Sequence, residues 1–305
     1  MEDYPKNLEE FEARFNTEDA CRDYLFRLRW PDGFRCPRCG HTKAWTTKDS
    51  LFRCSSCEYK CSITSGTIFE GTRKPLTLWF RAIWWVTSQK NGASAKNIQR
   101  IFEFGSYKTA WVWLHKLRRA MIRPGRDRLS GLVEVDETYI GGKKPGKRGR
   151  GAEGKTLVVI AAEDKGENKI GRIRLSIIPD ASSDSLTSFI KECVEDKSTI
   201  KTDDWRGYSS LAASAYSHEV VKSVDLKIVH IVISLLKRWL LGTHQGAVSH
   251  EHLSYYLDEY VFRFNRRTSN HRGKLFYRLL QNAMEIEPTK YKEMIKNVRG
   301  HNHNI

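Results

Sequence analysis

Four cysteines in two pairs have the spacing of a metal site. Cys36 and Cys39 form one CxxC pair, and Cys54 and Cys57 form a second pair after fourteen intervening residues. Two such knuckles can present four thiolates tetrahedrally to one Zn²⁺. Gly40 follows the first knuckle, where a tight turn favours glycine. The pattern predicts a structural zinc ion, because four protein ligands leave no open position for catalysis.

Alternatives remain for the cysteines. The two pairs could be redox-active, although redox motifs normally occur singly, and another thiophilic ion could replace zinc. Cys61 lies four residues beyond the second pair and could compete as a ligand, whereas Cys21 and Cys193 lie in helical patterns that predict buried thiols. Seven cysteines are too few for a disulfide scaffold of this length, and metal-site spacing is typical of the reducing cytoplasm.

Two aspartates follow patterns that predict β-strands. Asp136 lies in LVEVDETYIGG, where alternation places it opposite Val133 and Val135 and on the same face as Glu134; Asp203 ends STIKTDD. Metal-dependent phosphoryl transfer needs carboxylates from separate elements to hold one or two Mg²⁺ ions. An aspartate at a strand end is also a common cap or turn former, so neither residue identifies a site alone.

The secondary-structure elements that must position these residues change in type along the chain. Residues 4–29 read as helical, and residues 30–69 are rich in Gly, Cys, Thr and Ser, with short strands in KAWTT, LFRC and TIFE. Residues 75–90 form a predicted aromatic helix, and two further helices follow. From Leu132 we predict three strands, a helix, a strand, a short helix, a strand and two helices. We divide the chain into an N-terminal helical segment (1–29), a zinc ribbon (30–71), a further helical region (72–128), an α/β domain (129–275) and a tail (276–305).

The helices of the third region have helix-turn-helix character. Ser94 can cap the first helix, Gly105 breaks the chain, and a longer second helix follows with Trp111, Leu114 and Leu117 as its expected buried face. The basic residues offered to phosphates and bases are Lys108, Lys116, Arg118 and Arg119. A basic helical hairpin that does not enter a DNA groove would have the same pattern.

The excess of positive charge lies in two stretches. The chain has 305 residues, 52 basic and 36 acidic, for a net charge of +16. Residues 72–128 hold a net +11 and residues 140–155 a net +5. The second stretch is a glycine-rich loop with candidate phosphate contacts at Lys143, Lys144, Lys147, Arg148 and Arg150. Such a local excess of positive charge favours a nucleic-acid partner over a membrane, although solvated basic surfaces without a partner would give the same charge pattern.

Composition excludes several classes. The 13 Phe, 12 Tyr and 9 Trp residues provide material for a core, which excludes wholesale disorder. The length favours about two domains. No apolar run approaches the ~18 residues of a membrane span. The acidic N-terminus lacks the apolar region of a secretory signal, so we expect a cytoplasmic protein.

Several motifs in order resemble one family. VDETYIGG, TDDWRGY, LLKRWLLGTHQGAVSHEHLSYYLDEYVFRFNRR and the upstream CPRCG…CSSC are similar to zinc-ribbon insertion-sequence transposases of the DDE type (insertion-sequence family 1595, ISXO-like). The resemblance covers about residues 15–270. It implies an RNase H-like catalytic domain with a mixed five-stranded sheet, and a zinc ribbon and helix-turn-helix that bind the terminal repeats. It also implies metal-dependent cleavage and strand transfer, by a homodimer or larger assembly on DNA.

The resemblance assigns site residues position by position. The family's first acid matches Asp136, and its second matches Asp203, with Asp204 in the place of a family glycine. The third acid of many relatives stands seven residues before a lysine, where this chain has His230 and Lys237. A neutral imidazole can bind a divalent ion without the carboxylate charge. Glu251 and Glu259 are rival third ligands, although Glu259 more readily pairs with a nearby arginine.

The expected function is therefore that of a DNA transposase of a bacterial insertion sequence. Asp136, Asp203 and His230 would hold Mg²⁺ or Mn²⁺, Lys237 would contact a phosphate, and Arg263 and Arg266 would meet DNA or the catalytic helix. Two alternatives stay open: a catalytically inactive zinc-ribbon regulator, which the missing third carboxylate favours, and an RNase H-like nuclease without strand transfer.

Overall fold

The chain forms two compact units in a computed structural model that describes residues 2–123, 125–141, 155–167, 169–246 and 248–296. The first unit contains the described residues up to Arg123 together with Ser269–Lys296, and the second runs from residue 125 to Thr268. No helix among these described residues is long and apolar enough to cross a membrane.

The first unit begins with two capped helices and the cysteine-bearing sheet. Asn7 and Thr17 accept backbone N–H groups at the starts of the helices that follow them. The elements are α1 (Leu8–Arg14), α2 (Glu18–Arg29), β1 (Ala44–Thr46), β2 (Phe52–Cys54), β3 (Lys60–Cys61), α3 (Leu76–Ser88), α4 (Ala95–Ile101) and α5 (Tyr107–Ala120). The three short strands pair antiparallel in the order β1-β2-β3. Ser94 caps α4, as its position predicts.

One predicted strand of this unit is wrong. The segment TIFE forms turns, because the Thr67 hydroxyl donates to the Thr64 carbonyl and accepts from the Phe69 N–H. Such local side-chain bonds compete with strand pairing. Lys60 and Cys61 supply the third strand instead.

The second unit is built on a mixed five-stranded sheet. Its elements are β4 (Leu132–Ile140), β5 (Thr156–Asp164), β6 (Ile170–Ile177), α6 (Ser183–Cys193), β7 (Thr199–Thr202), a 3₁₀ helix (Arg206–Ala213), β8 (Ser217–Val220), α7 (Lys227–His244) and α8 (Leu253–Phe264). The strand order is β6-β5-β4-β7-β8, with β4 antiparallel to β5 and parallel to β7. This is the predicted succession of strands and helices.

Two apolar layers cover the sheet. Residues of α7 and α8 pack on one face against β5 and β6, as with Val229, Leu257 and Ile160. Residues of α6 and the 3₁₀ helix pack on the other face, as with Ile190 and Val135. Successive strand residues point to opposite faces, so Glu134 and Asp136 share the α7 face with Ile160.

The residues after 269 differ from their predicted place. The sequence-based division ends the catalytic domain at residue 275 and leaves a tail, whereas α9 (Arg272–Glu285) and α10 (Tyr291–Lys296) belong to the first unit. The reason is aromatic packing. Phe276 is fully buried, with ring centroids 5.3 Å from Phe11 and 5.6 Å from Phe80. The tail residues from 297 onward lie outside the described residues.

Candidate functional site

Asp136 lies in the middle of the central strand with its carboxylate largely removed from water. Its Oδ1 accepts the backbone N–H of Glu137 at 2.8 Å. Burial raises the pKa of Asp136 to about 6; the Glu137 and Asp203 carboxylates add to the rise, while the Glu137 N–H and His230 oppose it. A carboxylate held this way prefers a cationic partner, and such perturbed acids cluster at functional sites.

Asp203 is brought beside Asp136 by the parallel pairing of β4 and β7. The last pair of this register joins Glu134 to Lys201, and Asp203 lies two residues beyond Lys201, just after β7 ends. The electrostatic effect of Asp203 on the pKa of Asp136 agrees with this proximity. Asp203 Oδ1 accepts the Trp205 N–H at 3.1 Å, which shapes the turn after β7.

His230 on α7 meets Asp136 directly. Its Nε2 lies 3.1 Å from Asp136 Oδ2. Lys237 follows two turns later on the same helix. Partial burial lowers the pKa of Lys237, and the Asp136 carboxylate opposes that effect. The structure therefore places His230 in contact with Asp136, and the electrostatic effects between Asp136 and both Lys237 and Asp203 indicate that these two residues lie nearby.

These donor atoms are not gathered as tightly as in a closed metal site. Among the described residues, the four cysteines are the group whose donor atoms all lie within 4.8 Å of one another. The rival third ligands differ from each other. Glu259 is buried and pairs with Arg263 at 2.8 Å, as expected, whereas Glu251 is exposed in the 3₁₀ turn His250–His252.

The cysteine cluster has the geometry of a zinc site. Cys36 Sγ lies 3.7 Å from Cys57 Sγ, and Cys39 Sγ lies 3.6 Å from Cys54 Sγ. A tetrahedron with Zn–S bonds of about 2.3 Å has edges of about 3.8 Å, so four thiolates at these separations suit one Zn²⁺. Cys61 is buried and lies outside this group.

The two knuckles repeat one backbone turn. Gly40 donates its N–H to the Cys36 carbonyl at 2.9 Å, and Glu58 donates to the Cys54 carbonyl at 3.1 Å. Both residues have positive φ, +76° and 55°. Glycine at Gly40 adopts this conformation freely, whereas Glu58 adopts it with strain.

The predicted DNA contacts of α5 need correction. Arg118 is 2 % exposed, and the Lys116 ammonium donates to the Ile68 carbonyl at 2.8 Å. Both charges therefore serve the interior of the first unit. Trp113 is the buried tryptophan of α5, and Trp111 is half-buried. Lys108 is exposed on the first turn of α5, and Arg119 is half-buried.

The remaining predicted DNA contacts are either arginines held against α8 or residues that the structure does not describe. Arg263 binds Glu259 within α8, and Arg266 donates to the Phe262 carbonyl with its guanidinium 4.2 Å from the Phe262 ring. These contacts hold both side chains against α8. The loop residues Lys143, Lys144, Lys147, Arg148 and Arg150 lie outside the described residues.

Two features were missed by sequence reasoning. Glu134 is buried and accepts the Val229 N–H of α7 at 2.9 Å. Trp45, Arg53 and Lys60 form a row across the outer face of the three-stranded sheet, because Trp45 pairs with Arg53 and Arg53 with Lys60. The face-sharing of Glu134 with Asp136 was a signal for the first; the second needed the strand register.

Comparisons with known proteins define the class. Residues 16–60 match the family model of a transposase zinc-ribbon domain, and residues 128–265 match that of an ISXO2-like transposase domain. The chain belongs to the zinc-ribbon transposases of insertion-sequence family 1595.

One similar protein matches this chain over most of its length, and one solved structure matches it only weakly. An uncharacterized protein in transposable element ISH50 of Halobacterium salinarum is 28 % identical over 291 residues, covering 82 % of this chain and 91 % of that protein. A cryo-EM structure of the simian T-cell lymphotropic virus intasome in complex with PP2A regulatory subunit B56 gamma has a TM-score of 0.29 and 11 % identity. It covers 54 % of this chain and 67 % of that chain. A TM-score at this level does not establish a shared fold.

Proposed function

We propose that this chain is the active transposase of an insertion sequence. It binds the element's terminal repeats as a homodimer or larger assembly on nucleoid DNA, and it cleaves and transfers DNA strands with a divalent metal ion. The sheet order, with three antiparallel strands followed by two parallel ones, supports an RNase H-like catalytic domain.

The contact between Asp136 and His230 carries this proposal. A carboxylate on the central strand, with only 16 % of its side chain exposed, lies 3.1 Å from an imidazole on α7, and Asp203 follows the neighbouring parallel strand. Acids and histidines from separate elements that converge in this way are the usual framework of metal-assisted phosphoryl transfer.

The donor set of two carboxylates and one imidazole fits a divalent ion and favours Mn²⁺ over Mg²⁺. Asp136 and Asp203 would supply carboxylate oxygens, and His230 an imidazole nitrogen. When bound, the ion would activate the attacking oxygen and neutralise charge on the phosphodiester. Since Mg²⁺ favours an all-oxygen shell, we expect Mn²⁺ to support activity better. Lys237 would hold a phosphate oxygen from the same helix face as His230.

DNA binding is proposed for two surfaces of the first unit. Lys108 lies at the start of α5, and the N-terminal residues of a recognition helix are those that contact base edges in a helix-turn-helix. The row of Trp45, Arg53 and Lys60 adds an aromatic ring and the exposed cation of Lys60, which suit bases and phosphates respectively, while Arg53 pairs with Glu58 at 2.7 Å. Trp45 is 47 % exposed, with the Arg53 guanidinium 5.4 Å from the centre of its ring.

Cleavage of a duplex that carries the element's end tests the proposal. Wild-type protein is expected to nick the end and join it to target DNA with Mn²⁺ or Mg²⁺. Asp136→Asn and Asp203→Asn are expected to abolish both steps, while Asp204→Asn, a change in an exposed neighbour, leaves them intact. Cleavage by both of the first two variants would refute the catalytic assignment.

A DNA-binding protein without catalysis is the second candidate. It is favoured by the histidine in the third position and by the spread of the three donor residues, whose ligand atoms do not all lie within 4.8 Å of one another. Tight binding of the ends by wild-type protein, with no cleavage in either metal, would select this function.

A further inference from the structure

Glu134 is a buried carboxylate for which the catalytic assignment has no role. It lies on β4 two residues before Asp136 and shares its face of the sheet. Only 1 % of the residue is exposed. Its Oε2 accepts the Val229 N–H at 2.9 Å, and its Oε1 lies 3.6 Å from Lys201 Nζ on β7. A buried charge requires such partners, and here they lie on two other elements.

The helix that Glu134 contacts lacks a cap of its own. Leu226 precedes α7 and makes no side-chain cap bond. The first N–H groups of a helix have no partner within it. His230 is the first residue of α7 described with an N–H bonded back along the chain, to the Leu226 carbonyl at 3.2 Å. Glu134 accepts the N–H of Val229, the residue before His230, at the helix start where the dipole also favours a negative charge.

We infer that Glu134 is a positioning residue that fixes the first turn of α7 so that His230 meets Asp136. This inference rests on the proposed function. Val229 directly precedes His230, and Glu134 stands two residues from Asp136. The hydrogen bond between Glu134 and Val229 therefore ties together, side by side, the two segments that carry the interacting pair.

A cap that serves stability alone would make the same contact, so the test must separate the two roles. Glu134→Ala removes the acceptor, whereas Glu134→Gln keeps an amide oxygen for the Val229 N–H. Leu240→Ala is the matched control, because it removes a buried side chain of α7 that lies ten residues after His230. All variants are compared as full-length zinc-loaded protein at a temperature where each is folded.

We expect Glu134→Ala to lower the single-turnover cleavage rate by about 10²-fold at saturating DNA, since small misplacements near reacting groups have effects of that size. Glu134→Gln should stay within about 5-fold of wild type because it retains the acceptor. Leu240→Ala should lower the melting temperature by about as much as Glu134→Ala does, but its cleavage rate should remain within about 5-fold of wild type. A Glu134→Ala rate equal to that of Leu240→Ala, or a Glu134→Gln rate equal to that of Glu134→Ala, would overturn the inference.

A second measurement does not depend on activity. In protein with ¹⁵N-labelled histidine, the His230 imidazole signal is assigned by its loss in His230→Ala. Glu134→Ala should move this signal towards its position in Asp136→Asn, and Leu240→Ala should leave it in place. An unmoved signal in folded Glu134→Ala would also overturn the inference.

The two proposals fail in different ways. If Asp136→Asn and His230→Ala cleave DNA like wild type, the catalytic assignment fails, and the imidazole signal still decides whether Glu134 positions His230. If those two variants lose cleavage while Glu134→Ala retains it, the positioning role alone fails.

Discussion

Asp136→Asn should make the protein more stable at neutral pH while removing its activity. Burial holds the pKa of Asp136 at about 6, against an ordinary value of 3.8. Because the folded-state pKa is the higher one, the stabilising contribution of the protonated carboxyl is complete below about pH 3.8 and is lost as the pH rises through about 6. Asparagine has a similar shape and does not ionise.

The size of the effect follows from the shift. A rise from 3.8 to about 6 corresponds to about 3 kcal/mol at about 1.4 kcal/mol per pKa unit. Above about pH 7, the ionised carboxylate therefore lowers the free energy of unfolding by up to about 3 kcal/mol. Asp136→Asn should recover most of this at pH 8 and little at pH 4.

Calorimetry of the full chain between pH 4 and 8, without added divalent ions, measures the difference. Asp204→Asn is the control, since exposed substitutions usually change stability by less than about 0.5 kcal/mol. Added Mn²⁺ should then stabilise wild type but not Asp136→Asn. A variant that is less stable than wild type at pH 8, or a difference that does not change with pH, would refute this account of Asp136.

Four further outcomes are expected. Cys57→Ser should remove bound zinc and unfold the ribbon, as metal analysis and near-ultraviolet circular dichroism would show, while Cys61→Ser retains one zinc; zinc loss in Cys61→Ser would contradict the assignment. Glu259→Gln should cost about 3–5 kcal/mol in urea unfolding, because it breaks a buried pair, without weakening Mn²⁺ binding. His230→Glu should shift the metal preference of cleavage towards Mg²⁺, whereas His230→Ala should lose cleavage. Lys60→Gln should reduce the slope of log affinity for the ends against log salt by about 1, and Lys191→Gln in the second unit should leave it unchanged.

Local patterns predicted the elements well where local forces decide them. Ser94 caps α4 because its side chain satisfies a helix N–H within three residues, and the alternation around Asp136 sets its face before any folding is considered. The knuckle spacing likewise determined the zinc cluster. Such features depend on residues that are neighbours in sequence.

Features that depend on distant packing could not be predicted in this way. Residues 276–305 were predicted to form a tail because their packing partners are distant in sequence, such as Phe11, which lies more than 250 positions before Phe276. The role of Glu134 depended on which helix start would lie over β4. Lys116 and Arg118 counted towards a basic surface, yet one bonds a carbonyl and the other is buried. Formal charge therefore overstates the number of cations available to DNA.

The central strand carries two carboxylates on one face, Glu134 fully buried and Asp136 with 16 % of its side chain exposed, and their surroundings differ. Glu134 has an N–H donor from α7 and a lysine from β7, so its charge is compensated within the fold. Asp136 receives one backbone N–H and lies against an imidazole, with further carboxylates nearby that raise its pKa. A fold that fully pairs one acid and leaves its neighbour short of positive charge favours a cation at the second acid. This contrast within three residues of β4 supports a metal site at Asp136 and a positioning role at Glu134.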